Sequence, residues 1–195
     1  MTQPSPLLIT IPAFVDELVL RAGALDNDAA FVRLAIALSR ENVEQGGAPF
    51  GAVVGEGNRV VAAGVNRVLT SGMSIAHAEI VTLMRAQQVV QAGPQLTGTM
   101  TLYTSTEPCC QCYGAVVWSG VTRLVCGATT SDAEAIGFDE GPKPADWQGQ
   151  LERRGIRVTE GICVEEAREV LQRYVERGGR IFGSGAPQSS SQTNK

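Results

Sequence analysis

Apolar residues recur at helical intervals in the first clearly patterned segment of the chain. From Phe31 to Leu38 they occupy positions i, i+3, i+4 and i+7, a spacing that places them on one face of a helix. Capping residues at 26–28 precede this run and Gly46-Gly47 follows it, so the pattern predicts an amphipathic helix of about five turns. The preceding segment, Leu7–Arg21, is only partly periodic, and Pro12 suits the start of a short helix there.

Short runs rich in β-branched residues alternate with helical segments through the rest of the chain. Strands are predicted at Phe50–Val54, Arg59–Val65, Met100–Thr104, Arg123–Cys126 and Ile156–Thr159. Helices are predicted at about Ile75–Gln91, from Pro108 to about Ser119, and at Val164–Arg177. This order, αββαβαβ(α)βα, favours an α/β fold with helices on both faces of a five-stranded mixed sheet, a three-layer α/β/α sandwich.

Length and composition are those of one globular domain. The 195 residues are 44% hydrophobic, and 16 basic against 20 acidic side chains give a net charge of −4. A chain of this length forms a core without a disulfide framework, which leaves the five cysteines for other chemistry. We assign residues 1–182 to a single domain, and residues 183–195, rich in Ser, Gly, Gln and Pro, to a flexible C-terminal tail.

Several classes of protein are excluded or disfavoured by the same composition. No apolar run approaches the ~20 residues of a membrane span. The N-terminal residues Met1–Pro6 lack the basic and apolar regions of a signal peptide, so we expect a cytoplasmic protein with reduced thiols. The acidic balance and the lack of Lys or Arg runs argue against a nucleic-acid partner. A small-molecule partner is therefore favoured.

One histidine and two cysteines form a candidate zinc site. His77, the single histidine, begins a predicted helix, and Cys109 and Cys112 lie at the start of another, just after Pro108. Residues i and i+3 share a helix face, whereas Cys110 points about 100° away. Two thiolates with an imidazole select zinc, and three protein ligands leave the fourth tetrahedral position to water. The pattern predicts one catalytic Zn²⁺ per chain.

Such a site needs a base beside the metal. Zn²⁺ with two thiolates and a neutral imidazole has almost no net charge, so it acidifies water less than an all-histidine site does. Glu79, two residues after His77, is the nearest carboxylate in sequence. Side chains at i and i+2 of a regular helix point about 200° apart, so His77 has to precede the first helical turn if both are to reach the metal.

These motifs, His-Ala-Glu at 77–79 and Pro-Cys-x-x-Cys at 108–112, together resemble the zinc deaminases of the cytidine deaminase superfamily. The resemblance extends from Asp26 to Phe182 and implies a cytidine deaminase-like fold with Glu79 as the proton shuttle. It is greatest to the bacterial guanine deaminases, through the segments Pro49–Ala52, Val65–Arg67 and Glu134–Pro142. It therefore implies hydrolysis of a free amino-heterocycle, guanine above all, to xanthine and ammonia.

The resemblance also implies roles for further residues. Glu140 would be a second proton-carrying acid, with a solvated loop acid as the alternative. Phe50 and Trp118 would flank the base, Asn66 would hydrogen-bond it, and the Ala78 N–H would face the reacting centre. Strand core, helix packing and turn formation are the structural alternatives for Phe50, Trp118 and Asn66 respectively.

Similar enzymes form homodimers, and some exchange the C-terminal segment so that an aromatic residue touches the neighbour's base. Phe182 occupies that place here, where we would expect tyrosine. This departure, and Cys110-Gln111 between the ligand cysteines, leave the substrate open, with ammeline as another candidate.

Other functions stay open at this stage. A Cys-x-x-Cys at a helix start also resembles a thioredoxin-like redox motif, although that hypothesis leaves His-Ala-Glu unexplained. A non-catalytic zinc domain would need a fourth protein ligand, such as Cys110 or a carboxylate. A tRNA adenosine deaminase would share both motifs, and cytosine or a nucleoside is the remaining substrate class.

Overall fold

The computed structural model describes residues 8–91 and 93–183, in which a sheet lies between two layers of helices. The strands are β1 (Gly51–Glu56), β2 (Arg59–Val65), β3 (Thr101–Thr106), β4 (Arg123–Ala128) and β5 (Arg157–Thr159). The helices are α1 (Ala13–Ala22), α2 (Asp28–Glu44), α3 (Val68–Ser71), α4 (Ala78–Val90), α5 (Cys110–Ser119), α6 (Thr130–Ala135), α7 (Trp147–Glu152) and α8 (Val164–Glu176). The predicted five-stranded sheet is confirmed.

The sheet is mixed, with the strand order β2-β1-β3-β4-β5. β1 pairs antiparallel with β2, to which it is joined by a tight connection through Gly57, and antiparallel with β3. β3, β4 and β5 are parallel, and each parallel step requires a crossover, which α5 supplies first and α6 with α7 supply next. The first of these parallel strands, β3, therefore leads into the start of α5, which carries the two predicted cysteine ligands.

Alternating strand residues divide the core between the two faces of the sheet. Val53 and Val125 pack with α1, α2 and α8 in one apolar cluster. Val54 and Leu124 pack with α4, α5 and α7 in the other. This alternation is the period-two pattern of a sheet buried on both faces, and it confirms the three-layer α/β/α sandwich.

The predicted long helices agree with the structure to within a few residues. Helix α2 begins after Asn27, whose side-chain oxygen accepts a hydrogen bond from the Ala30 N–H at 2.9 Å. The short helices α3, α6 and α7 have four to six residues, too few to repeat a hydrophobic period, and the sequence pattern allowed for only one of them. In the described part of the chain, every helix is too short or too polar to cross a bilayer.

The domain boundary at residue 182 and the flexible tail stay predictions. Residues 1–7 and 184–195 lie outside the described residues. Gly183, the first residue assigned to the tail, packs near Asp139: a Cβ placed on this glycine would lie 3.1 Å from the Asp139 Cβ.

Gly51 sets the distance between β1 and α2. A Cβ at this position would lie 2.3 Å from the Ala35 carbonyl oxygen and 2.9 Å from the Ser39 nitrogen. We expect Gly51→Ala to lower the free energy of unfolding by about 1–3 kcal/mol, because backbone atoms have to move apart to accept the methyl group. Urea unfolding followed by circular dichroism measures this change. An unchanged midpoint and slope would show that α2 does not approach β1 this closely.

Candidate active site

Two helix starts position the predicted metal ligands. His77 is the N-cap of α4, with the extended backbone angles φ −69° and ψ 157°. Cys109 is the N-cap of α5, also extended, and Cys112 lies in the first turn of that helix. Since His77 precedes the helix and Glu79 lies within its first turn, the geometric condition that the sequence imposed on this pair is met.

The three ligand atoms form one compact group. His77 Nδ1 lies 3.4 Å from Cys109 Sγ and 3.5 Å from Cys112 Sγ, and all three atoms lie within 4.8 Å of one another. These separations fit the edges of a tetrahedron with metal bonds of about 2.0–2.3 Å. Cys112 is fully buried, whereas His77 and Cys109 are partly exposed. The group is therefore positioned to bind one metal ion from its solvent side.

The donor set fits zinc in an open site. Two thiolates and an imidazole are ligands that zinc prefers. Among residues 8–91 and 93–183, no further histidine, cysteine or carboxylate joins the group. Cys110, which the non-catalytic alternative would use as a fourth ligand, is outside it. One coordination position is thus left for water or substrate.

Hydrogen bonding prepares one thiol of this group to bind a cation. A hydrogen bond from Cys112, with further help from His77, lowers the pKa of the Cys109 thiol to about 4 despite its burial. The same bond, together with burial, raises the pKa of Cys112 well above its usual range. A metal binds both sulfurs as thiolates, so its binding releases thiol protons.

Two carboxylates are buried beside the ligand group. Glu79 and Glu140 are only 8% and 6% exposed, and both line the same cavity as His77. Burial raises the pKa of Glu79. Burial, followed by the charges of Cys109 and Glu79, raises the pKa of Glu140 to about 8. A divalent cation would oppose these shifts, because positive charge favours the ionised carboxylate. Glu140 is therefore a buried acid and not a solvated loop residue.

The cavity has an aromatic wall. Its volume is about 560 Å³, and Phe50, Phe138 and Phe182 line it. The Phe138 ring meets the Phe50 ring edge to face at 4.9 Å and the Phe182 ring at 5.4 Å between centroids. An apolar cavity with a few converging polar groups is typical of a small-molecule site.

Asn66 presents an unused donor at this cavity, which it lines. It is 1% exposed, and its Oδ1 accepts a hydrogen bond from the Val68 N–H at 3.0 Å. Its Nδ2 has no partner among the described residues. The Asn66 carbonyl accepts a hydrogen bond from Asn42 Nδ2 at 3.0 Å, so the residue is held in place. A buried donor without a partner costs free energy, which a ligand acceptor would recover.

The structure brings most of the predicted site residues together. Those that line the cavity are Phe50, Asn66, His77, Glu79, Cys109, Glu140 and Phe182. Cys112 lies behind them in the core, and Ala78 is buried between His77 and Glu79.

Trp118 does not lie at the base, where the resemblance implied it would be. It lies on α5 but is 74% exposed and does not line the cavity. The buried face of α5 carries Cys112, Val116 and Ser119, spaced by four and three residues. Trp118 is six residues beyond Cys112, which places it on the outward side of the helix. Within its own chain, this residue cannot flank a base.

Sequence reasoning missed several residues around the cavity. Phe138 lies inside the Glu134–Pro142 segment that carried the resemblance, and an aromatic beside two acids between glycines was an available signal. The sequence signal for Asn42 was weaker: this polar residue follows Leu38 by four residues and so lies on the apolar face of α2. Glu107, which also lines the cavity, directly precedes Pro108.

Comparison with known proteins identifies the family. Residues 25–128 match the family model of the cytidine and deoxycytidylate deaminase zinc-binding region. The chain belongs to this family. The resemblance to zinc deaminases, the cytidine deaminase-like fold and the zinc cofactor are thereby confirmed, and the thioredoxin-like redox hypothesis is wrong.

Guanine deaminases are among the most similar relatives of this deaminase. The chain is 37% identical over 115 residues to the guanine deaminase of Bacillus subtilis, which covers 58% of this chain and 72% of the relative. The structure of guanine deaminase from Nitrosomonas europaea superposes with a TM-score of 0.82 at 39% identity, covering 89% of this chain and 98% of that one. A mutant protein in complex with 8-azaguanine gives a TM-score of 0.85 at 39% identity, with 91% and 100% coverage.

The ligand assignment separates neighbouring cysteines. We expect the purified deaminase to hold one zinc per chain, and Cys109→Ser and Cys112→Ser to weaken zinc binding on the order of 100-fold or more, because each removes a ligand. Cys110→Ser is the matched control and keeps full occupancy. Zinc analysis after dialysis against a graded chelator measures the difference. Zinc loss by Cys110→Ser equal to that of the other two variants would contradict the assignment.

Proposed function

We propose that this deaminase hydrolyses the free base guanine to xanthine and ammonia. The observation that carries the proposal is the composition of one cavity. The metal ligands His77 and Cys109, two buried carboxylates and Asn66 all line a space walled by phenylalanine rings. The Asn66 Nδ2 has no partner among the described residues. The similarity to guanine deaminases over about nine-tenths of the chain supports guanine as the base.

The carboxylates divide the proton transfers. Zinc held by His77, Cys109 and Cys112 would supply Lewis-acid activation of water near neutral pH. Glu79 accepts the proton that the attacking water loses as its oxygen bonds to C2 of guanine, and it returns that proton to a ring nitrogen. Glu140 gives a proton to the exocyclic amine, so that the C2–N bond breaks and ammonia leaves. One of the two carboxylates takes up the proton that the C2 hydroxyl loses as the C2=O bond forms. Two buried acids allow these transfers to occur on different sides of the ring.

The cavity wall and Asn66 orient the base. Phe50, Phe138 and Phe182 offer ring contacts to a flat heterocycle, and Asn66 Nδ2 donates to an acceptor on its edge. The Ala78 N–H belongs to the first residue of α4, where backbone donors lack intrahelical partners. We assign it to the reacting centre, as the resemblance implied.

A cytoplasmic homodimer is the assembly that we propose. The thiol ligands need a reducing compartment, and exposed Trp118 and Ile75 offer apolar surface to a second copy. Phe182 lines the cavity of its own chain, so the site contains this aromatic without an exchange of C-terminal segments.

An ammonia-release screen tests the proposed substrate. Guanine, ammeline, adenine, cytosine and their nucleosides are compared with zinc-loaded wild type and Glu79→Gln. We expect guanine to give the highest kcat/KM, and Glu79→Gln to keep zinc but lose about 10²–10⁴-fold in kcat, because the general base is removed. A preference for adenine, cytosine or a nucleoside, or near-normal turnover by the variant, would overturn the proposal.

A second pair of variants tests Glu140. We expect Glu140→Gln to lower kcat on guanine by about 10²-fold or more at unchanged zinc content, since an amide cannot carry the proton. Glu134→Gln, an exposed acid of the same segment, is the matched control and keeps wild-type kinetics. Equal kinetics for the two variants would return Glu140 to a structural role.

A further inference from the structure

Lys143 is an unusual residue in this sequence. The chain contains 16 basic residues, of which only Lys143 and Lys195 are lysines. The side chain of Lys143 is 7% exposed, although an ammonium group strongly prefers water and is rarely buried without specific partners. Its burial beside a catalytic loop therefore calls for a physical reason.

The Lys143 ammonium connects three separate segments. Its Nζ donates to the Pro108 carbonyl at 2.9 Å and to Thr130 Oγ1 at 2.7 Å. The Glu107 carboxylate lies 3.9 Å away and accepts hydrogen bonds from the Thr130 N–H and hydroxyl at 2.9 and 2.7 Å. The Trp147 ring covers the ammonium at 4.5 Å from its centroid. These groups replace the lost water.

Two of the hydrogen bonds bracket a metal ligand. The Cys110 N–H donates to the Glu140 carbonyl at 2.9 Å, and the Lys143 ammonium donates to the Pro108 carbonyl. Cys109 lies between Pro108 and Cys110 in sequence. The loop from Glu140 to Lys143 is therefore attached to the ligand turn at one point on each side of Cys109.

We propose that Lys143 is a positioning residue that holds the Glu140 loop in register with the Cys109 turn. The inference rests on the proposed function, in which Glu140 delivers a proton to the leaving amine. A proton transfer requires donor and acceptor at hydrogen-bond distance, so a loop attached at one point only would present the carboxyl less often in the productive place. Binding of the base, which we assign to Asn66 and the phenylalanines, does not depend on this attachment.

The test compares zinc-loaded, full-length variants on guanine. Lys143→Met keeps the apolar stem and removes the ammonium. We expect kcat to fall about 10–100-fold, the range seen for groups that orient active-site ligands, with KM within about threefold of wild type and unchanged zinc content. Arg123→Met is the matched control, because it breaks a partly buried ion pair with Asp28 at 2.8 Å that joins β4 to α2. It lowers the melting temperature but keeps kcat.

A double variant separates positioning from the unpaired charge of Glu107. Lys143→Met leaves Glu107 without its cation, and this alone could disturb the cavity or the fold. In Lys143→Met/Glu107→Gln the Glu107 carboxylate that faces the ammonium is replaced by a neutral amide, so this protein carries the test if the single variant does not fold. We expect its kcat to stay about 10–100-fold below that of Glu107→Gln. Equal kcat for these two proteins, or wild-type kcat for Lys143→Met, would overturn the proposal.

A spectroscopic readout is independent of turnover. In protein carrying ¹⁵N at the lysine Nζ, we expect one slowly exchanging ammonium resonance that is missing in Lys143→Met. Its absence from the wild type would contradict the attachment. If wild type releases no ammonia from guanine, the proposed substrate is wrong, and this resonance still tests whether Lys143 is held as described.

Discussion

The site depends on placing a histidine and a glutamate two residues apart on the same side of one cation. A regular helix forbids this arrangement, since it turns such a pair about 200° apart. The chain meets the requirement by starting α4 directly after His77, which keeps an extended backbone while Glu79 enters the first turn. Cys109 likewise keeps an extended backbone directly before the first turn of α5. The N-cap residues of both helices, His77 and Cys109, line the cavity.

The sheet makes those helix starts meet. α4 packs across β1 and β2, and α5 follows β3, with both helices on the same face of the sheet. Helix N-termini favour anions through their unpaired N–H groups, and the pKa of the Cys109 thiol at the start of α5 is lowered. The opposite face of the sheet carries α1, α2 and α8. From α2, the Asn42 side chain donates a hydrogen bond to the Asn66 carbonyl. The base side and the metal side of the cavity are thus held by different layers.

Sequence alone predicted the parts of this protein that repeat or have distinctive spacing. Local patterns in the sequence indicated the helical period of α2 and the β-branched strands. They also indicated the ligand set of His77, Cys109 and Cys112. The predicted role of Trp118 was wrong because the motif places this residue on α5 without indicating which side of the helix faces the core. Phe138 was overlooked despite its local signal, whereas Lys143 was missed because its contacts, such as that with Pro108, join segments separate in sequence. Such pairings are set by the packed fold and leave no pattern in neighbouring residues.

X-ray absorption at the zinc edge of the purified, zinc-loaded protein examines the ligand group itself. The structure leads us to expect two sulfur ligands at about 2.3 Å and two nitrogen or oxygen ligands at about 2.0–2.1 Å. His77 supplies one of these lighter ligands and solvent the other. A shell with three or four sulfurs, or one with no sulfur, would contradict the open site on which the proposed chemistry depends.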